Sequence, residues 1–410
     1  MKVTLVSSGW PPSFGGADTH PYRLLDTLRK SNVDVNAIVS VREDLNKWNG
    51  DYKDKVTRIS LNTDFDDHDE DERTEWLRLV KTELSETQPN VVILFNQFIR
   101  ASETWIKEIQ VLGIKVITLI WDIDYELNMI VEGVKECKHS AWPWDKPYSS
   151  DHTFSENLRK IDKVYLSDKY TNEDFPFIGF SHSDIADGVI HITQHNLDTY
   201  NYITNSNPHA IVVHPFLNFT EWLKKPDSQD VKEQLKIGVV NCNLHKGQTI
   251  IRKCIVNYPD NFFHVLLGGW GNGKWMFNMM ERFYNYDGMN SKKIEYVEDM
   301  KEFYDGIDVL LFPTFSEGYG QVVIEAACRG VPTLTKDYPA LHESGGTGAF
   351  YVGKKDYLKE DMWMQKIETI QEEYLDCQNK AYAWALEAQQ RQEKEMINLI
   401  NFLVDISSSS

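Results

Sequence analysis

Short apolar runs alternate with amphipathic stretches along most of the chain. Lys2–Ser7 alternates into an apolar strand, and a glycine-containing loop over 9–20 separates it from a helix over 21–31. That helix gathers Tyr22, Leu24, Leu25 and Leu28 into one stripe, the spacing of a face turned to a core. Residues 33–39 read as the next strand. The rhythm continues with helix 74–86, strand 91–95, helix 102–112, strand Lys115–Ile120 and a helix over 125–136. Strands over 163–168, 187–193 and 210–215, with a helix from about Asn196, complete the first half.

The second half keeps the same order. Strand 237–241 is followed by helix 248–257, strands 262–267 and 293–297, and helix Met300–Asp305. Strand 307–312, helix 321–329 and strand 331–334 come next, then helices over 363–374 and 381–404. Continuous apolar strands separated by helices predict parallel sheets covered on both faces. Residues 138–153, rich in Trp, Pro and Ser, read as a loop, and 218–230, with Pro226-Asp227-Ser228, as the linker between halves.

Length and charge narrow the partners. A chain of 410 residues suggests two or three domains. A net charge of −19 argues against a broad nucleic-acid footprint and against general attraction to an anionic membrane. The 5 cysteines (Cys137, Cys242, Cys254, Cys328 and Cys377) are scattered and form no C-x-x-C pair, which suits a reducing compartment. The start is too short for a signal peptide and no apolar run spans a membrane, so the expectation is a cytoplasmic protein. The acidic run 64–72 lacks the spacing and glycine of a calcium loop and reads as solvated. His191 and His195 are separated by a strand-to-helix change, so they do not share a helix face as a metal pair would require.

The candidate chemistry concentrates in 312–346, FPTFSEGYGQVVIEAACRGVPTLTKDYPALHESGG. It reads as strand, glycine-containing loop, helix and strand, with Gly330 closing the helix. Such loops sit at the carboxyl edge of a parallel sheet, where ligands bind. The amides at the start of the helix favour an anion, and Gly318 and Gly320 allow close backbone approach. Glu317 and Glu325 flank those amides, and carboxylates accept from hydroxyls. Amides for phosphate and carboxylates for hydroxyls suggest a sugar nucleotide. A plain βαβ corner with two solvated glutamates is the alternative reading of the same residues.

The whole string S-E-G-Y-G-Q-V-V-I-E-A-A-C-R-G-V-P resembles the paired-glutamate motif of retaining GT-B glycosyltransferases, specifically glycosyltransferase family 4 (group 1 glycosyl transferases). The resemblance is strongest over about 235–346 and traceable over 1–220. It implies an α/β fold of two Rossmann-like domains whose parallel sheets face a cleft. The acceptor-side domain would be 1–220, the linker 221–234, and the nucleotide-sugar domain 235–380, with a final helix over 381–406 packing back on the first domain. Gly15 and Gly16 resemble the family's N-terminal loop near the donor diphosphate, and His20 stands near its usual histidine. Trp121 takes the position where the family often has histidine, with Asp122 and Asp124 as hydroxyl acceptors facing the cleft. Capping of the following helix is the other reading of those two carboxylates.

Lys246-Gly247 matches the family's Lys-Gly before the helix, while Asn241 or Asn243 stands near the usual arginine. One cation of the diphosphate clamp is therefore absent from this loop, and Arg252, Lys253 or a residue of the first half are the candidate replacements. The resemblance also implies base recognition near Tyr296 and Val297, and donor contacts from Gly318, Tyr319, Gly320, Gln321, Val322 and Glu325. The implied reaction moves a hexose from a nucleoside diphosphate sugar to an acceptor hydroxyl with retention, using Glu317 for the sugar and Lys246 for the diphosphate. GDP-mannose is favoured over a UDP-sugar, no metal or other cofactor is required, and the acceptor is a glycan, glycoprotein or lipid-linked sugar. A homodimer is left open. The alternatives are a nucleotide-sugar epimerase of the same fold and a non-catalytic sugar-nucleotide-binding protein.

Overall fold

A computed structural model describes residues 1–7, 10, 16–42, 55–61, 70–95, 103–121, 185–204, 209–226, 234–242, 246–267, 277–278, 280–281, 287–315 and 317–409. The chain divides into two units, one of 1–216 with 392–410 and one of 217–391.

The first unit contains a seven-stranded parallel sheet. Its strands are β1 (Lys2–Ser7), β2 (Asp34–Arg42), β3 (Val56–Leu61), β4 (Val91–Leu94), β5 (Lys115–Ile120), β6 (Gly188–His191) and β7 (Ala210–Val212). Their spatial order is β3-β2-β1-β4-β5-β6-β7. Among the described residues the helices of this unit are α1 (Gly16–Lys30), α2 (Glu70–Thr87), α3 (Glu103–Val111) and α4 (Gln194–Thr204). The central strands β1, β4 and β5 are buried almost throughout, as expected for strands covered on both faces. One core layer joins Val6, Ile38, Val92, Leu94 and Val116 of the sheet to Trp76, Val80, Leu84, Ile106 and Ile109 of α2 and α3.

Helix α1 begins at Gly16, five positions ahead of the expected start at 21. Pro21 lies inside it, in the second turn, without ending it. The expected helix over 125–136, loop over 138–153 and strand over 163–168 fall outside the described residues, as does 64–69 of the acidic run.

The second unit contains a six-stranded parallel sheet of β8 (Lys236–Val240), β9 (Phe262–Leu266), β10 (Ser291–Ile294), β11 (Val309–Phe312), β12 (Thr333–Lys336) and β13 (Ala349–Val352). The order is β10-β9-β8-β11-β12-β13. Its helices, among the described residues, are α5 (Phe219–Trp222), α6 (Gln248–Asn257), α7 (Met300–Asp305), α8 (Gln321–Cys328), α9 (Pro339–Gly345) and α10 (Glu360–Glu372). The side chain of Asp299 caps α7 by accepting from the Lys301 amide at 2.9 Å.

The chain then forms one long helix, α11 (Tyr374–Ser408). Its residues up to Arg391 belong to the second unit and those from Gln392 to the first. In the first unit His214 Nδ1 lies 2.6 Å from Glu395 Oε1 and the His214 amide donates to Glu395 Oε2 at 3.1 Å. Gly188 on β6 leaves room for Phe402 and Ile406 of the same helix. Among the described residues no helix is long and apolar enough to cross a membrane.

Candidate functional site

Both sheets reverse direction of growth once. In the first unit the chain builds β1, β2 and β3 outward, then returns to place β4 on the other side of β1. In the second unit β8, β9 and β10 are followed by a return to β11, on the other side of β8. At such a reversal the connections from the two adjacent strands run to opposite faces of the sheet, and ligands bind there. In the second unit those loops are 241–247, after β8, and 313–320, after β11. They carry Lys246 and Glu317.

The two side chains meet. Lys246 Nζ donates to Glu317 Oε1, and both side chains are mostly buried, 20% and 14% exposed. Thr314 Oγ1 also donates to Glu317 Oε1, at 3.4 Å, and Lys246 Nζ lies 5.6 Å from the Phe312 ring centroid. Gly247 adopts φ 82° and is the N-cap of α6. Its Cα faces the carbonyl of Pro313 so closely that an added Cβ would overlap it. The two loops therefore lie against one another backbone to backbone at this point.

Gly320 caps α8 with φ 76° and is packed against Leu341. The first amides of α8 start beside it, and the first intrahelical bond closes from Val323 N to Gly320 O at 2.9 Å. Gly318 and Tyr319 are buried, and Gln321 and Val322 are half-buried. Gln321 Nε2 is buried with no hydrogen-bond partner among the described residues, a donor left for something else. Glu325 is 7% exposed and its Oε2 accepts from the Tyr304 hydroxyl at 3.3 Å. Tyr319 accepts from Arg391 Nη2 at 3.3 Å. Val297 is half-buried just after β10, two strands from the reversal.

Not every expected residue is brought to this place. His20 and Trp121 belong to the first unit, where their rings lie 4.8 Å apart beside Phe95 at the carboxyl ends of β4 and β5. His20 is buried, its Nδ1 has no partner among the described residues, and burial pushes its pKa down to about 3. It is a neutral imidazole at ordinary pH. Gly16 opens α1, whereas Gly15, Asp122, Asp124 and Asn243 lie outside the described residues. Of the possible replacement cations, Lys253 is engaged with Glu360 at 3.0 Å. Tyr304 and Thr314 had no individual signal in the sequence, whereas Gly247 was marked by the Lys246-Gly247 pair. Their roles arise from contacts made across the fold.

The four cysteines among the described residues, Cys242, Cys254, Cys328 and Cys377, are free and buried. Desolvation raises every one of these thiols, Cys242 to about 12 and Cys377 to about 11. They are poor nucleophiles and poor metal ligands. Among the described residues no three His, Cys, Asp or Glu side chains come together as a metal site would need.

Solved structures cover the chain over nearly its whole length. Sucrose-phosphate synthase from Thermosynechococcus elongatus superposes with a TM-score of 0.68 at 13% identity, over 100% of both chains. HepE of Anabaena, in complex with UDP-glucose, gives 0.63 at 12% identity, over 97% of this chain and 99% of that one. The fold is GT-B. Residues 251–372 match the family model of glycosyl transferases group 1, a span that contains Glu317, Glu325 and all of α8. A curated relative, the O-antigen chain mannosyltransferase RfbU of Salmonella typhimurium, is 32% identical over 74 residues. That match spans 18% of this chain and 20% of the relative.

Proposed function

We propose that this GT-B protein is a retaining glycosyltransferase that moves a hexose from a nucleoside diphosphate sugar to an acceptor hydroxyl. The observation that carries the reading is the meeting of Lys246 and Glu317 across the strand reversal of the second sheet. A cation and a carboxylate side by side, next to helix-start amides, match the two ends of the donor that react. The match of 251–372 to group 1 glycosyl transferases supports the same reading.

In this proposal the donor diphosphate replaces Glu317 as the partner of Lys246 and also takes the amides at Gly320 and Gln321. Charge grows on the diphosphate as the anomeric carbon–oxygen bond breaks, so these donors act most strongly in the transition state. Glu317, released from the lysine, accepts from sugar hydroxyls and sets the anomeric carbon. Glu325 accepts from the ribose hydroxyls. The acceptor oxygen bonds to the anomeric carbon on the face the phosphate leaves, and a donor phosphate oxygen takes the acceptor proton. Neither glutamate serves as a nucleophile, and Lys246 with the amides takes the place of a metal. His20 and Trp121 of the first unit contribute to the acceptor side.

GDP-mannose is the first donor to test, in keeping with the mannosyltransferase relative, and UDP-glucose is the second, in keeping with HepE. Calorimetric titration against a panel of nucleoside diphosphate sugars identifies the donor. Transfer to an acceptor is then followed in the parent and in Glu317→Ala and Lys246→Ala. Either change lowers transfer by about a hundredfold. Undiminished transfer in both variants overturns the assignment.

A further inference from the structure

A lysine is buried beneath the Glu317 loop. Lys336 ends β12, is 4% exposed, and donates from Nζ to the carbonyl of Phe315 at 3.0 Å. Three rings surround the ammonium: Tyr357 at 5.2 Å, Tyr338 at 5.7 Å and Phe315 at 5.9 Å from ring centroid to nitrogen. Burying a lysine is costly, and its position on a central strand would ordinarily go to Val or Ile. What the charge obtains here is a carbonyl oxygen and aromatic faces, both of which attract a cation in a dry site.

That carbonyl is one of a series. Thr335 Oγ1 donates to Phe312 O at 2.7 Å, the Tyr357 hydroxyl to Pro313 O at 2.5 Å, and Lys336 to Phe315 O. The backbone leaving β11 is thus held at three of its four carbonyls by side chains from β12 and from Tyr357. Tyr357 is itself fixed, because Trp363 Nε1 donates to its carbonyl at 2.8 Å and the two rings meet edge to face. The last of the three anchored carbonyls belongs to Phe315, two positions before Glu317. Thr335 and Tyr357 hold the strand end, and Lys336 alone of the three holds the part of the loop that carries the carboxylate.

We infer that Lys336 is a positioning residue for Glu317. It fixes the loop so that the carboxylate is presented at the strand reversal, and it acts on the sugar end of the donor without touching it. The donor-binding part of this inference rests on the proposed function; the fixing of the loop does not.

Lys336→Met keeps the length and most of the volume of the side chain and removes the donor. Amide hydrogen exchange of the ligand-free protein is compared across 313–320 and across α8. The variant exchanges about tenfold faster over 313–320 with α8 unchanged, because only the loop has lost an anchor. GDP-mannose and UDP-glucose are then titrated beside GDP and UDP. Affinity for the sugar nucleotide that binds the parent falls about tenfold, while affinity for its bare nucleoside diphosphate changes less than about twofold. In a Glu317→Ala background the second change adds less than about twofold, since Lys336 works through that carboxylate.

Unchanged exchange over 313–320, equal losses for the sugar nucleotide and the bare diphosphate, or additive losses in the double variant each overturn the inference. A general loosening of the second unit, seen as faster exchange in α8 as well, also overturns it. If the parent binds no nucleoside diphosphate sugar, the proposed function fails, and the exchange comparison alone decides whether Lys336 fixes the loop.

Discussion

Gly247 presses its Cα onto the carbonyl of Pro313, so the loops that carry Lys246 and Glu317 touch without a side chain between them. The glycine also sits at φ 82°, where a Cβ is strained even in open space. Gly247→Ala is expected to destabilise the second unit by at least about 2 kcal/mol. Urea denaturation measures this, and an alanine variant as stable as the parent would mean that the two loops lie further apart.

The Tyr304 hydroxyl fixes one oxygen of the buried Glu325 carboxylate. Tyr304→Phe removes one hydrogen bond of ordinary strength, about 0.5–1.5 kcal/mol. Under the proposed function, affinity for the nucleoside diphosphate weakens about three- to tenfold. The 2′-deoxy nucleotide should bind the variant and the parent alike if Glu325 serves the ribose. Calorimetry on the two nucleotides separates the outcomes, and equal weakening of both would detach Glu325 from the ribose.

Two buried histidines make the first unit sensitive to acid. Desolvation lowers both His20 and His191 from 6.5 to about 3. In the folded chain they stay neutral, while in the unfolded chain they take up protons below about pH 6.5. The unfolded state then binds more protons, so stability present above pH 6.5 is lost as the pH falls toward 3. At pH 5 each histidine accounts for a loss of about 2 kcal/mol. His191→Leu should flatten the fall in stability between pH 6.5 and 5 in urea titrations. An unchanged slope would show that His191 is protonated in the folded chain.

Gly188 opens the floor of β6 to Phe402 and Ile406. Gly188→Val places two methyl groups where those side chains lie. Overpacking of this kind costs about 1–3 kcal/mol and is relieved by lifting the end of α11. Limited proteolysis should then cut within 392–408 before any other site in the described residues. Resistance equal to the parent would indicate that the helix end has slack.

Much of the fold could be read in the order of elements. Lys2–Ser7 and Lys115–Ile120 have the bounds their apolar runs suggest, and Met300–Asp305 starts where Asp299 offers a cap. The strand expected from 307 starts at Val309, because Asp308 is buried and turned to bond the Lys236 amide at 2.8 Å. The strand expected from 331 starts at Thr333, since Pro332 has no amide to give a ladder. Among the described residues four elements go unannounced by the apolar runs, including the short α5 inside the expected linker. Val56–Leu61 is an edge strand that mixes Thr, Arg and Ser with apolar residues. Ala349–Val352 is four residues long and follows a glycine cluster, and Pro339–Gly345 is announced only by its helix-start proline. The break expected between the last two helices reduces to one residue, Glu373, so the chain from Tyr374 is a single helix.

The site divides in the same way. Glu317, Glu325 and the glycines between them are local, so their spacing makes them visible in a single string. Lys246 is 71 positions from Glu317 and was legible only through resemblance. Tyr304, Lys336 and Tyr357 were not legible at all. Tyr304 reaches Glu325 from α7, Lys336 reaches the loop from β12 and Tyr357 reaches it from the turn before α10, and a single sequence gives no sign of which distant residues will be neighbours.

Helix α11 leaves the unit in which it starts and ends in the one with which the chain began. Of the two units, the first is therefore begun earlier and completed later. A ribosome releases its seven strands long before it releases Glu395, Phe402 and Ile406, and until then the surface around His214 and Gly188 has no cover. Folding of that unit must either wait for the rest of the chain or pass through a stage that exposes apolar surface, the kind of stage at which chaperones act. A chain cut short just before residue 392 would keep every residue of the second unit and leave the older one unfinished.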